Sequence, residues 1–208
     1  MYGRLTWYKG SPDKVETGIA TVKGLLTTIQ RFPGYSGFAL FVERSTGKSA
    51  SLAFYKDRLS LRGSGIAAAA VRRTGSDQIG GDVTGVDEYE LDLLELPQGI
   101  KSGTWARVIS GTGQPAKGDE VMATIQARVV PVLKAQKGFR GSVAGMDAHS
   151  GRGIMVTIFD SREDLEASDV AIAGLREQLR AFAEMADMAL DTFELVVAEL
   201  PTSVSVAQ

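Results

Sequence analysis

Glutamate and tyrosine are the side chains of this sequence that best suit acid–base chemistry. Glu90 lies early in a predicted strand, and Glu194 lies at the matching point of a later one. If Glu90 faces an apolar interior, burial raises its pKa and makes it a base for an acidic phenol or ketone. The alternative is an outward carboxylate that pairs with Arg4, Arg107 or another surface cation. If Glu90 faces the interior, the predicted catalytic residues are Glu90 and Tyr8.

Aromatic side chains are concentrated in the first half of the chain. All five tyrosines occur between positions 2 and 89. Aromatic walls with a few polar tips suit a pocket for a planar apolar ligand. The alternative is that the rings only fill the core. The predicted substrate-binding residues are Trp7, Phe38, Phe54, Tyr55 and Tyr89.

Other catalytic chemistries lack the residues that they need. The only histidine, His149, falls in a predicted turn, and the sequence has no cysteine. The run from Gly63 to Ala68 has the G-x-G-x-x-A spacing of a dinucleotide site, but a predicted hairpin precedes it instead of a parallel βαβ unit. We therefore predict no metal and no cofactor.

Charge and hydropathy exclude several classes of partner. The sequence has 23 basic and 25 acidic residues, which gives a net charge of −2 without a basic patch for nucleic acid. It has no run of eighteen apolar residues for a membrane span. Its start lacks the features of a secretion signal, and the missing cysteines suit a reducing compartment. We expect a cytoplasmic protein with a small apolar or aromatic ligand, no nucleic acid and no membrane.

A short turn that occurs twice organises the whole chain. Pro33-Gly34-Tyr35-Ser36-Gly37 matches Lys137-Gly138-Phe139-Arg140-Gly141 at an offset of 138 − 34 = 104 positions. The same offset aligns Arg72 with Arg176, and we take it as gapless. Such self-similarity predicts a tandem duplication. The offset aligns Trp7 with Gly111 and Tyr8 with Thr112, so the two halves should form cavities of different width and polarity.

The duplication predicts four segments. Repeat 1 covers residues 1–97, a linker covers 98–104, repeat 2 covers 105–201, and residues 202–208 form a flexible tail. Each repeat has the order β-α-β-β-α-β. In repeat 1, residues 75–85 are predicted to be a glycine-rich loop, which is either a mobile lid or an eroded helix. In repeat 2, Pro131 is predicted to kink the first helix.

The best-preserved segments carry a family resemblance. Phe159-Asp160-Ser161-Arg162-Glu163-Asp164-Leu165-Glu166-Ala167-Ser168, a helix and then Phe193-Glu194-Leu195 resemble the antibiotic biosynthesis monooxygenase family of the dimeric α/β barrels. The resemblance implies an α+β fold. Two ferredoxin-like repeats would pack sheet to sheet as an intramolecular pseudo-dimeric α/β barrel, and further association into a homo-oligomer stays open.

The resemblance also frames the function. Members of the family include cofactor-independent monooxygenases that act on polycyclic aromatic compounds, and heme-degrading enzymes that use asparagine, tryptophan and histidine. This sequence has no asparagine, which disfavours the heme-degrading activity. Two hypotheses remain. The protein is a monooxygenase-like enzyme for an aromatic or polyketide-like compound, or it is a non-catalytic ligand-binding or stress-associated protein.

Overall fold

A computed structural model describes residues 1–201 as an α+β fold with eight antiparallel strands. The strands are hydrogen-bonded in the closed order β1-β3-β2-β8-β5-β7-β6-β4, numbered along the chain. The described chain divides into two compact units. Unit 1 contains Met1–Glu88 and Phe193–Pro201, and unit 2 contains Tyr89–Thr192.

Unit 1 is a sheet that carries its helices on one face. Its strands and helices are β1 (Tyr2–Lys9), α1 (Val15–Ile29), β2 (Tyr35–Val42), β3 (Lys48–Tyr55), α2 (Arg58–Gly63) and α3 (Gly65–Gln78). Proline at the start of a short 3₁₀ turn, Pro12–Lys14, leads into α1, and the Asp57 side chain caps α2 by accepting from the Ser60 amide. The buried side chains of α1 pack on β2, so the core of the unit lies between helix and sheet.

Unit 2 repeats this plan. Its elements are β5 (Thr104–Thr112), α4 (Gly118–Thr124), a π-helical turn (Ile125–Val129), α5 (Val130–Lys134), β6 (Phe139–Met146), β7 (Arg152–Phe159) and α6 (Arg162–Phe182). Ser161 caps α6 by accepting from the Asp164 amide at 3.1 Å, as the sequence predicts.

The last strand of each half of the sequence joins the sheet of the other half. β4 (Asp82–Glu95) pairs with β6 of unit 2 through Glu90 to Glu95, and β8 (Ala189–Glu199) pairs with β2 of unit 1. Both pairings are antiparallel. The compact units therefore differ from residues 1–97 and 105–201 in the strand that completes each sheet.

The predicted glycine-rich loop at residues 75–85 is wrong. The helix α3 continues to Gln78 and β4 begins at Asp82, with Gly80 in a left-handed turn between them at φ +59°. Ile79 fixes this segment against α1, because a Cβ on Gly18 would lie only 2.3 Å from its side chain. Its carbonyl also accepts from the Ser11 amide at 3.1 Å. The segment is packed, and the mobile-lid interpretation fails with the loop.

The gapless offset of 104 is wrong for the first strand. Tyr8 lies opposite Ser49, and Gly111 lies opposite Gly153, so the structural counterpart of Tyr8 is Gly111, at 111 − 8 = 103. The offset returns to 104 after the first helix, where Gly34 corresponds to Gly138. The extra residue lies in the π-helical turn, where the Val130 amide donates to the Ile125 carbonyl five residues earlier. A single inserted residue produces such a turn.

Candidate functional site

Unit 1 contains a cavity between its sheet and the helices α1 and α3. Its volume is about 70 Å³. A water molecule occupies roughly 10–15 Å³ in this measure, so the space is that of about five waters. We call it the unit 1 cavity. The polar or aromatic side chains that line it are Arg4, Thr6, Tyr8, Ser11, Phe32, Phe38, Ser49, Ser51, Tyr55 and Arg72.

Strand alternation aims the polar side chains of β1 and β3 into this cavity. Successive residues of a strand point to opposite faces, so Arg4 and Tyr8 share the helix-facing side of β1. Ser51 and Tyr55 share the same side of β3, and all four line the cavity. Aliphatic residues of α1 and α3 supply the opposite wall.

Arg4 has a structural role, because its guanidinium is hydrogen-bonded within unit 1. Its guanidinium is buried, donates to the Glu88 carboxylate at 2.8 Å, to the Ser64 hydroxyl at 2.8 Å and to the Leu61 carbonyl at 2.6 Å, and lies 3.3 Å from the Tyr55 hydroxyl. These partners tie β1 to the loop between α2 and α3 and to β4. The charge of Arg4 is thus neutralised within unit 1.

Arg72, the other charged side chain of the cavity, has no comparable set of hydrogen bonds within residues 1–201. It is half-buried on α3 and makes no hydrogen bond or ion pair with any described residue. Burial lowers its pKa, and the neighbouring positive charge of Arg4 lowers it further. Since a guanidinium stays protonated even so, the cavity presents one uncompensated cation.

Tyr8 supplies a hydroxyl close to this cation. Its oxygen lies 3.5 Å from the Ser51 hydroxyl, and either group can be the donor. Burial raises the pKa of Tyr8, with Arg72 acting in the opposite direction. The phenol is therefore neutral at physiological pH and can donate a hydrogen bond to an anionic oxygen.

Three of the sequence-predicted site residues meet in the unit 1 cavity, namely Tyr8, Phe38 and Tyr55. Trp7 does not, because it points to the opposite face of β1, where its ring lies 6.3 Å from that of Phe193. Phe54 is buried and alternates with Tyr55, so it also leaves the cavity.

The remaining two predicted residues belong to unit 2. Tyr89 is buried, and Glu90 is exposed on β4, opposite Met146 of β6. Neither lines the unit 1 cavity. Glu194 follows the alternative interpretation, because it pairs with Arg44 at 2.7 Å. The geometry gives Glu90 no buried position from which to act as a base.

Sequence reasoning missed Arg72 and Ser51. Arg72 was aligned with Arg176 without a role, because a lone arginine on a helix does not reveal which face is buried. The signal in the sequence that could have identified Arg72 is a carboxylate seven positions before Arg176, which has no equivalent before Arg72. Arg176 pairs with Asp169 at 2.9 Å, seven positions earlier on α6, and the residue seven positions before Arg72 is Gly65.

Unit 2 contains a counterpart cavity of about 100 Å³ between its sheet and helices, called here the unit 2 cavity. Gly111 corresponds to Tyr8 near the end of β5, and a Cβ there would lie 3.4 Å from the Met185 methyl group and 3.2 Å from the Met188 Cα. Its arginine is neutralised by Asp169. The two cavities thus share a position in the fold and differ in charge and lining.

Residues 1–201 contain neither a cluster of metal-binding side chains nor a membrane-spanning helix. No three histidine, aspartate or glutamate side chains there converge on a point that would hold a metal ion. His149 is exposed in the turn before β7, where its amide donates to Asp147 at 3.0 Å. None of the helices in this part of the chain combines the length and apolar character of a membrane crossing.

Comparison with other sequences gives distant relatives. The chain is 24% identical over 209 residues to the uncharacterized protein Rv2558 of Mycobacterium tuberculosis, which covers 96% of this chain and 85% of that protein. It is also 24% identical over 173 residues to Rv2557 of the same organism, covering 80% of this chain and 74% of that protein. No family model matches the sequence.

Comparison with solved structures gives the fold. An anthrone oxidase-like protein superposes with a TM-score of 0.70 at 14% identity, over 100% of this chain and 96% of that one. A candidate monooxygenase of Fusobacterium nucleatum superposes with a TM-score of 0.69 at 14% identity, over 98% and 95%. A ferredoxin-fold protein of Listeria monocytogenes related to antibiotic biosynthesis monooxygenases gives 0.57 at 6% identity, over 94% and 95%. The chain thus has a ferredoxin-like α+β fold.

Proposed function

We propose that the protein is a cofactor-independent monooxygenase that acts on a small aromatic or polyketide-like compound in the unit 1 cavity. The observation that carries this proposal is Arg72, a guanidinium on the wall of an apolar cavity that makes no hydrogen bond or ion pair within residues 1–201. An uncompensated cation in such a place favours a ligand with one acidic group, since the cation gains more from an anion there than in water.

The same two side chains give the cavity a way to promote oxidation. Arg72 and the neutral Tyr8 stabilise the enolate or phenolate of an acidic ketone. The pKa of the bound ketone is therefore lower than in water, and its proton is released to solvent. The carbanion can then reduce molecular oxygen. In the overall reaction a CH₂ group of the substrate becomes C=O, one oxygen atom enters the product and the other leaves as water with the two hydrogens. The anthrone oxidase-like and monooxygenase neighbours support this chemistry through fold alone.

Size limits the ligand. A dry cavity of about 150 Å³ accommodates benzene, whereas the unit 1 cavity measures about 70 Å³. A ligand of one or more rings must therefore extend through the mouth or displace side chains such as Phe32. This limit favours the alternative function, in which the cavity binds a small acidic ligand without turnover.

The test separates binding from turnover. Thermal shift would be measured with 1-naphthoate and with the neutral 1-naphthalenemethanol, and oxygen uptake with the acidic tricyclic ketone dithranol. Arg72→Gln is compared with Arg73→Gln, an exposed neighbour on the same helix. We expect naphthoate to stabilise the wild type and Arg73→Gln more than Arg72→Gln, and oxygen uptake to follow the same order.

Binding of naphthoate without oxygen uptake above the protein-free rate would contradict the monooxygenase function and leave the binding protein. Equal stabilisation of Arg72→Gln and Arg73→Gln would contradict the site itself.

We also infer that the two halves arose by tandem duplication, as repeats 1–97 and 105–201. The support is the set of corresponding contacts, in which Arg4 binds the Leu61 carbonyl and Ser64 while Arg107 binds the Leu165 carbonyl and Ser168. A pseudo-dimeric arrangement, a cytoplasmic location and further homo-oligomerisation remain predictions that go with this function. The predicted tail at 202–208 lies outside the described residues.

A further inference from the structure

The unit 2 cavity is lined by soft, adaptable side chains. The sequence has six methionines, and all except Met1 line this cavity, namely Met122, Met146, Met155, Met185 and Met188. Methionine has three rotatable bonds and a polarisable sulfur, so a methionine wall adjusts to ligands of irregular shape. The cavity is also larger than its counterpart, at about 100 Å³ against about 70 Å³.

Three buried polar atoms without a partner lie in one row beside this cavity. They are the Arg107 Nε, the Ser142 Oγ and the Thr157 Oγ1, and none has a hydrogen bond to any described residue. Thr157 lies opposite Arg107 on β5 and opposite Ser142 on β6, so the three side chains sit side by side on one face of the sheet. An unsatisfied buried polar group is costly, and Thr157, only 1% exposed, opens into the cavity.

The matching row of unit 1 is satisfied. Its residues are Arg4, Ala53 and Phe38, paired across β1, β3 and β2. Ala53 and Phe38 have no polar side-chain atom, and the Arg4 Nε donates to Glu88 at 3.0 Å. Unit 2 has therefore acquired a need for a hydrogen-bonding group that unit 1 does not have.

The chemistry of that group follows from the row. The Arg107 Nε can only donate, and the two hydroxyls can donate or accept. Thr157 is the member of the row that lines the cavity, and its hydroxyl can donate to an oxygen that accepts. That oxygen needs no charge, because Asp169 already lies 3.3 Å from Arg107 and 2.9 Å from Arg176. We propose that the unit 2 cavity is a second binding site, for a neutral apolar molecule that carries one ketone or hydroxyl oxygen, which bonds to Thr157 at the centre of this row.

The methionines provide the measurement. The protein would be labelled with ¹³C at the methionine methyl groups, and the five cavity signals would be assigned with single Met→Leu variants. Met1 lies outside both cavities and serves as the internal control. The probes are acetophenone and ethylbenzene, which have nearly the same shape and differ in the carbonyl group. We expect acetophenone to shift cavity signals and to bind about tenfold more tightly than ethylbenzene, as one satisfied hydrogen bond predicts.

Three variants test the assignment. Thr157→Val keeps the shape and removes the hydroxyl, so we expect the tenfold preference to disappear, whereas Thr157→Ser should keep it. Gly153→Val should abolish binding of both probes, because a Cβ at Gly153 enters open space and meets only the Gly145 carbonyl at 3.9 Å. Arg72→Gln lies in the other unit and should leave acetophenone binding unchanged.

The proposal is overturned if the cavity signals do not move, if the two probes bind equally, or if Thr157→Val keeps the preference. The last result would mean that an ordered water satisfies the row. Because the readout is binding in unit 2, its failure is distinguishable from a failure of the proposed oxidation in unit 1.

Discussion

The unit 1 and unit 2 cavities occupy the same place in the same kind of sheet and differ in where their polar groups are satisfied. In unit 1 the buried Arg4 is fully engaged, and the half-buried Arg72 has no hydrogen-bond or ion-pair partner in the described part of the chain. In unit 2 the arginine of the helix is engaged by Asp169, and the unsatisfied groups lie on the sheet around Thr157. One cavity thus suits an anion and the other a neutral oxygen.

The difference arises from few positions. Gly65 against Asp169 decides whether the helix arginine is neutralised, and Ala53 against Thr157 decides whether the sheet carries a free hydroxyl. Tyr8 against Gly111 decides whether a phenol or a pair of methionines fills the mouth. Two similar sheet-and-helix units can therefore differ in the class of ligand that they suit through a few side chains.

The largest expected effect concerns the π-helical turn of unit 2. Deleting the exposed Ala127 should convert the turn to ordinary α-helix and cost about 2 kcal/mol or less. Deleting the exposed Lys23 from α1 should abolish folding, because it rotates the buried Ile29 by about 100° relative to Ile19. Circular dichroism and urea unfolding of both deletions would measure this contrast.

Equal damage from the two deletions would show that the π-helical turn is not an inserted residue. In that case the structural offset of 103 before the helix would need another explanation.

Much of this fold could be predicted from the sequence. Pro12 stands in the 3₁₀ turn that leads into α1, and the Ser161 side chain accepts from the Asp164 amide at the start of α6. Such signals can be read from the sequence, because caps and first-turn prolines act locally. The failure at residues 75–85 has a long-range cause. Glycines favoured a loop there, and packing of Ile79 against Gly10 and Gly18 overrode that preference.

The site was less predictable than the fold. The sequence shows that the first half is rich in aromatic residues, and three of these, Tyr8, Phe38 and Tyr55, line the unit 1 cavity. It does not show that Trp7 and Phe54, which are aromatic as well, point to the opposite face of the sheet. Neighbouring residues of a strand point to opposite faces, and amino-acid composition does not tell which face is the cavity side. Glu90 is exposed for the same reason, since it alternates with the buried Tyr89 on β4.

The second prediction compares the two buried arginines. Arg4→Met should lower the free energy of unfolding by about 3–5 kcal/mol, because it leaves the Glu88, Ser64 and Tyr55 groups without their partner. Arg107→Met should cost only about 1–3 kcal/mol. Arg107 makes two hydrogen bonds and already has an unpartnered Nε, and Asp169 keeps Arg176. Urea unfolding that gives the reverse order would refute this assignment of roles.

The third prediction exchanges the charge pattern of the two cavities. Gly65 lies at the start of α3 with no atom within 4 Å of an added Cβ, so Gly65→Asp can reach Arg72 as Asp169 reaches Arg176. We expect Gly65→Asp to weaken binding of 1-naphthoate about tenfold, a change of about 1.4 kcal/mol. Gly65→Asn is the neutral control and should retain the affinity. Unchanged affinity in Gly65→Asp, measured by calorimetry, would show that Arg72 does not hold the acid.

The last and smallest effect is an alkaline instability that belongs to unit 1. Burial raises the pKa of Tyr8, and burial together with the hydrogen bond to Glu199 at 2.7 Å raises that of Tyr35. In the unfolded chain a phenol ionises near pH 10. The folded state therefore holds these protons more tightly, so the stabilisation is complete below pH 10 and is lost as the pH rises above it.

At pH 11 each of these tyrosines should contribute a loss of at most about 1.4 kcal/mol relative to pH 8, which is the limit for a phenol that stays neutral in the folded state. Urea unfolding at both pH values should show a smaller loss in Tyr8→Phe and in Tyr35→Phe than in the wild type. If absorbance at 295 nm shows every tyrosine of the folded protein ionising near pH 10, then neither phenol is held neutral, and the unit 1 cavity loses the neutral donor that distinguishes it from the methionine-lined cavity.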